Sequence, residues 1–153
     1  MKLLIEDTRN KIEKNAYIRQ QLHDIGFDVV RSKLLVGDYQ IANKGNIVVD
    51  TKAGLQEVVG NVTSQHKRFK AECEMAKEAG IKLVVLIRES TVKSLEDVPK
   101  WFNWRLKVSP VATTGKQLWK IMTTLTKRYD VEWRFATPQK MGQAIVDILE
   151  EKG

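Results

Sequence analysis

Two acids and a lysine stand in segments whose spacing brings them together. These are Val36-Gly37-Asp38-Tyr39 and Ile47-Val48-Val49-Asp50-Thr51-Lys52. If the segments form antiparallel strands joined by a turn at Asn43-Lys44-Gly45, Asp38 at the start of one comes opposite Asp50 at the end of the next. Side chains alternate along a strand, so Asp50 and Lys52 project from the same face. A hard divalent cation such as Mg²⁺, with Mn²⁺ as substitute, takes oxygen ligands and is commonly held by one or two carboxylates. Asp38, Asp50 and the main-chain carbonyl of Thr51 supply such a set. The ion would lower the pKa of a water and stabilise charge on a phosphodiester oxygen, while Lys52 orients the nucleophile or balances the developing charge. Spacing alone does not single this triplet out. Glu150-Glu151-Lys152 has the same acid-x-Lys pattern at a helix end, and an ordinary strand-end ion pair would look alike.

Cations follow. His66, Lys67, Arg68 and Lys70 cluster at the start of a helix, where they either neutralise phosphates or form a solvated face. His66 fits a surface or capping residue better than a general base. Trp101, Phe102, Trp104, Arg105 and Lys107 mix aromatics with cations. They make either a stacking platform for unpaired bases or, the favoured reading, a short helix whose Trp101 and Trp104 close a core.

The whole chain is basic: among 153 residues, Lys and Arg number 26 against 19 Asp and Glu, for a net charge of +7. That field favours polyanionic partners. With Cys73 as the single cysteine and only His23 and His66, neither an internal disulfide nor a Cys/His zinc site can form. No apolar run approaches the roughly 20 residues of a membrane span. The apolar run in Met1–Asp7 is too short for a secretory signal. The expectation is a cytoplasmic protein with no membrane partner, its small size fitting a bacterial or viral source.

Positioning those residues requires a sheet. Lys2–Glu6 reads as a strand, and Ile18, Leu22 and Ile25 form the stripe of a helix ended by Gly26. Phe27–Leu35, Asp38–Ala42 and Ile47–Asp50 are Val- and Ile-rich and suggest a meander of strands. Thr63–Ala79 is helical, capped by Ser64, with Phe69, Cys73 and Ala76 inward and Gly80 as its stop. The continuous apolar run Lys82–Ile87 belongs mid-sheet. Leu118–Tyr129 is a helix, Val131–Phe135 a strand, and Met141–Leu149 a terminal helix opened near Pro138. The alternation predicts one α/β domain over 1–153, with a central mixed sheet flanked by helices on both faces.

Ile5-Glu6-Asp7-Thr8-Arg9, Gly37-Asp38-Tyr39, Val49-Asp50-Thr51-Lys52 and Ser64-Gln65-His66-Lys67-Arg68-Phe69 resemble, in that order, the nuclease domain of the XPF family, within the PD-(D/E)XK superfamily. The resemblance spans most of the chain and implies a restriction-endonuclease-like fold and a metal-dependent DNA endonuclease, acting on branched or otherwise structured DNA. By it, Asp38 and Asp50 are metal-binding acids, Lys52 the catalytic lysine and Asp7 a third acid. Arg9 is implied to lie near DNA or the site carboxylates, and the helix start with Gln65, His66, Lys67, Arg68 and Lys70 to face DNA, Gln65 and Arg68 being the best matches to substrate-contacting positions. A homodimer is consistent with it. Four positions depart from the family pattern: Asp50 for Glu, Thr51 for Arg, Gln56 where an acid stands four residues after the lysine, and Asn10 where Glu is common. No tandem helix-hairpin-helix module follows, which leaves DNA-junction specificity open. The departures at Gln56 and Asn10 motivate the alternative, a noncatalytic DNA-binding module on the same scaffold.

Overall fold

Apolar alternation sets the sheet. In the computed structural model, which describes residues 2–151, six strands run in the order β2-β1-β3-β4-β5-β6. They are β1 (Lys2–Glu6), β2 (Phe27–Arg31), β3 (Tyr39–Ile41), β4 (Lys44–Lys52), β5 (Lys82–Arg88) and β6 (Glu132–Ala136). Met1, Lys152 and Gly153, part of the expected 1–153 span, lie outside the described residues, and with Lys152 goes the second acid-x-Lys triplet. The sheet is mixed, as expected: β3 is antiparallel to β1 and β4, while the pairs β1–β2, β4–β5 and β5–β6 are parallel.

The meander holds only for β3 and β4, and their turn falls at Ala42-Asn43, with Asn43 at φ 66°. β2 instead lies on the far edge, parallel to β1 with Leu4 opposite Val29. Its connection from β1 is helix α1 (Ala16–Ile25), the long crossover that a parallel pair requires. Composition alone does not say which neighbour a strand takes.

Alternation along the central strands sends side chains into two cores. Val48, Leu83, Val85, Ile87 and Trp133 meet α2 (Leu55–Val62), α3 (His66–Glu78) and α4 (Gly115–Tyr129) on one face. Leu4, Tyr39, Val49, Val84 and Leu86 meet α1 and α5 (Met141–Glu150) on the other. β5 is covered on both sides, and each Val, Leu or Ile so buried contributes about 1.5–3 kcal/mol.

Helix α2 is absent from the sequence reading, and its presence changes the role given to Ser64. Ser64 Oγ donates to the Gly60 carbonyl at the end of α2, and α3 begins from Gln65 without a side-chain cap. Trp101 does pack on the core, but Phe102 and Trp104 are 56% and 57% exposed, so no aromatic pair closes the core there. Among the described residues, no helix is long and apolar enough to cross a membrane.

Candidate active site

The C-terminal end of β4 carries Asp50 and Lys52 onto the face of the sheet covered by α2 and α3. Asp38 arrives from the turn before β3, where its N–H donates to the Val49 carbonyl at 2.8 Å. The chain can make that approach because Gly37 sits at φ +74°, and a Cβ there would lie 2.1 Å from Val48 Cγ1. The three residues line one cleft of about 280 Å³.

Asp50 is the unusual member. It is buried, and apart from Lys52 its Oδ2 has no polar partner. Lys52 Nζ forms an ion pair with that oxygen at 2.9 Å. Burial, and then the nearby Asp38 carboxylate, raise the Asp50 pKa well above the usual carboxylate range against the pull of Lys52. Burial works against the Lys52 ammonium, but Asp50 outweighs it and raises its pKa above the ordinary lysine value. Lys52 Nζ also sits over the Phe69 ring at 5.8 Å.

Asp38, in contrast, is held by three donors. Its Oδ2 accepts the N–H and the hydroxyl of Thr51, each at 2.8 Å, and its Oδ1 accepts Asn10 Nδ2 at 2.6 Å. Thr51 thus engages Asp38 through its amide and hydroxyl, from the side of the strand opposite Asp50 and Lys52. Asp7 lines the same cleft, yet its Oδ2 takes Arg9 Nε at 2.8 Å and its Oδ1 the Leu34 N–H at 2.8 Å. Burial would raise the Asp7 pKa, but these donors, Arg9 first, carry it below the ordinary value. Arg9 is spent on Asp7 and on the Leu34 carbonyl.

The loop bearing Asp7, Arg9 and Asn10 is fastened from behind by Glu6, whose importance the sequence reading missed. Buried Glu6 accepts Arg19 Nη1 at 2.9 Å, Arg31 Nε at 3.0 Å and the Tyr39 hydroxyl at 2.6 Å. The same arginines reach the Ile12 and Asn10 carbonyls. Burial and the Glu6 contact raise the Tyr39 pKa, keeping the phenol a donor.

Helices α2 and α3 close the other wall. Leu55 N–H, at the start of α2, donates to Glu89 Oε2 at 2.8 Å, tying the helix to the end of β5. Glu57, and not Gln56, faces the cleft. From α3 come Gln65, Arg68 and Phe69, together with Glu72, which the sequence reading did not single out. Glu72 follows Arg68 by one helical turn, and that spacing was the available signal. Burial raises the Glu72 pKa, with Asp38 adding to it while Lys52, Arg9 and Arg68 oppose, and its Oε1 has no partner. The other residues implied to face DNA divide: His66 and Lys70 point into a separate groove toward α4, and Lys67 lies exposed on α3. His66 Nδ1 contacts the Thr63 carbonyl at 2.8 Å, the capping role expected of it.

Among the described residues, no three acidic, histidine or cysteine side chains form a ready-made metal cage. The donor set nevertheless suits a hard cation, because Asp50 Oδ2, met by Lys52 alone, and the unpartnered Glu72 Oε1 are buried carboxylate oxygens beside a second acid, Asp38.

Fold and cleft define the class first: a single α/β domain with a six-stranded mixed sheet and an acid-lined cleft at the end of a central strand. In structure the chain is similar to XPF from Aeropyrum pernix, with a TM-score of 0.65 and 15% identity over 99% of this chain and 63% of that one. It is likewise similar to XPF from Aeropyrum pernix in complex with DNA, with a TM-score of 0.67 and 16% identity over 97% and 64%. The XPF-like nuclease fold expected from the sequence is therefore the fold observed, and the chain spans just under two thirds of the length of those XPF chains. No protein-family model and no curated protein matches the sequence.

Proposed function

We propose that the chain is a metal-dependent DNA endonuclease of PD-(D/E)XK type that hydrolyses phosphodiesters in branched or otherwise structured DNA. The observation that carries this reading is Asp50: a buried carboxylate whose Oδ2 meets only the Lys52 ammonium, beside a second carboxylate. One ammonium leaves two carboxylates in low dielectric with a net negative charge, a cost that a divalent cation would offset. Asp38 and Asp50 would hold Mg²⁺, with Glu72 nearby, the Thr51 carbonyl as a further ligand and Asp7 as the third acid. The ion supplies Lewis-acid polarisation of the scissile phosphate and its attacking water. Lys52, kept protonated by Asp50, orients the nucleophile and balances charge on the phosphate oxygens. Arg68 and Gln65 face the strand at the cleft mouth, while Thr51 and Asn10 hold the Asp38 carboxylate in place. DNA as the partner is supported by the basic net charge and by a structural neighbour in complex with DNA.

Incubation of branched, single-stranded and duplex DNA with Mg²⁺ or Mn²⁺ tests the reading. Wild-type chain should cut at least one substrate, Lys52→Ala should lose about 10²–10³-fold in rate, and Asp50→Asn should fall to background. Asp38→Ala and Asp50→Ala chains that cut as well as wild type would end the assignment.

A second reading, the noncatalytic DNA-binding module, is favoured by one observation. Asn10 occupies Asp38 Oδ1 and Arg9 occupies Asp7, so two of the three acids are already satisfied. Calorimetry separates the readings: Mn²⁺ binding abolished in Asp50→Asn supports the enzyme, and DNA binding indifferent to divalent metal supports the module.

A further inference from the structure

Beyond the acidic cleft, α3 and α4 enclose a second depression of about 310 Å³. Its interior is apolar, built from Val62, Phe69, Ile121 and Leu125, and its rim is cationic, with Lys70, Lys120 and Arg128. No acid lines it. Phe69 lines both spaces, its ring stacked on Trp133 and covered by Lys52.

The walls are fixed before any ligand arrives. Phe69 stacks on Trp133 at 6.1 Å, and Trp133 Nε1 donates to the Met122 carbonyl at 3.1 Å. Lys77 Nζ donates to the Arg128 carbonyl at 2.8 Å, pinning α3 to the end of α4. Held rings and pinned helices keep the depression open without an ordering cost on binding.

We propose that this groove accepts an unpaired nucleobase of a DNA strand whose backbone runs over the acidic cleft. The proposal rests on the nuclease reading for the direction of the strand but not for the pocket itself. An apolar slot lined by Ile121, Leu125 and the half-buried Tyr129 takes the flat face of a base without regard to sequence, and cations around the rim take the adjoining phosphates. The volume lies at the lower end of the range for small-molecule pockets, which suits one base. A polyanionic strand answers the acid-free, cationic rim of the groove. The arrangement gives the site a preference for strands with a base free to leave the stack, which a substrate cleft reading phosphates alone would lack.

The test uses the full chain in EDTA, so that cleavage plays no part. Affinity is measured by fluorescence anisotropy for a labelled single strand of DNA and for an abasic strand of equal length and charge. Wild type should bind the base-bearing strand about tenfold more tightly. Thr124→Trp, which fills the groove from an exposed position of α4, should remove that preference while leaving the abasic affinity unchanged. Lys120→Glu, also exposed, should weaken both strands. Equal affinities in wild type, or a preference that survives Thr124→Trp, overturn the proposal. So does sedimentation showing a dimer that Thr124→Trp dissociates. Asp50→Asn should retain the preference; if Mg²⁺ assays show no cleavage while the preference persists, the enzyme reading fails and the pocket stands.

Discussion

Asp50 and Glu72 share a condition: burial raises the pKa of both, and their buried oxygens are poorly satisfied, Asp50 Oδ2 by Lys52 alone and Glu72 Oε1 by nothing. Native chains rarely leave an atom such as Glu72 Oε1 unpaired, and a cation beside both carboxylates would remove the penalty. Glu72→Gln should therefore leave the fold intact, because that oxygen gives up no hydrogen bond, yet weaken Mn²⁺ binding by about 10–100-fold in calorimetry. Unchanged affinity would show that Glu72 takes no part in cation binding. Asp38 and Asp7 differ in kind, since their oxygens are already occupied by Thr51, Asn10, Arg9 and Leu34, and their first task is to hold loops in position.

At the scale of elements, α3 is a partition. Its inner stripe turns Gln65, Arg68 and Glu72 toward the acidic cleft, while His66 and Lys70 turn toward α4. Cations that look like one patch in the sequence thereby serve two surfaces, because successive residues of a helix are about 100° apart. The turn at Gly37 is equally decisive, for it lets the segment bearing Asp38 pass directly over Val48. Gly37→Ala combines a left-handed backbone with a clash at 2.1 Å. It should cost about 2–3 kcal/mol, a fall in Tm of roughly 5–10 °C by calorimetry, and should also impair cleavage by displacing Asp38. A Tm within 1 °C or so of wild type would contradict the packing described for this turn.

For the whole molecule, one sheet divides two cores, and the site stands on the core that contains Cys73. Cys73 is 1% exposed, and burial, with Glu72 and Asp50 nearby, pushes its thiol up to about 12. At pH 8 almost none is thiolate, so reaction with a disulfide reagent should proceed only as fast as the core opens. Denaturant should release the single thiol at once. Rapid labelling of the folded chain would show that this core is loosely held.

Read alone, the residue order determined the alternation of strands and helices, because apolar periodicity and the glycine stops at Gly26 and Gly80 are local properties. It also determined that Asp50 and Lys52 share a face and that β5 is buried on both sides. Helix α2 was legible as well, since its buried Leu55, Val58 and Val62 fall at helical spacing. The neighbour chosen by β2, the occupation of Asp38 by Asn10 and the arrival of Glu72 at the cleft were decided only on folding. Each depends on contacts between segments distant in the chain, and pairing energy of that kind leaves no periodic trace in either partner.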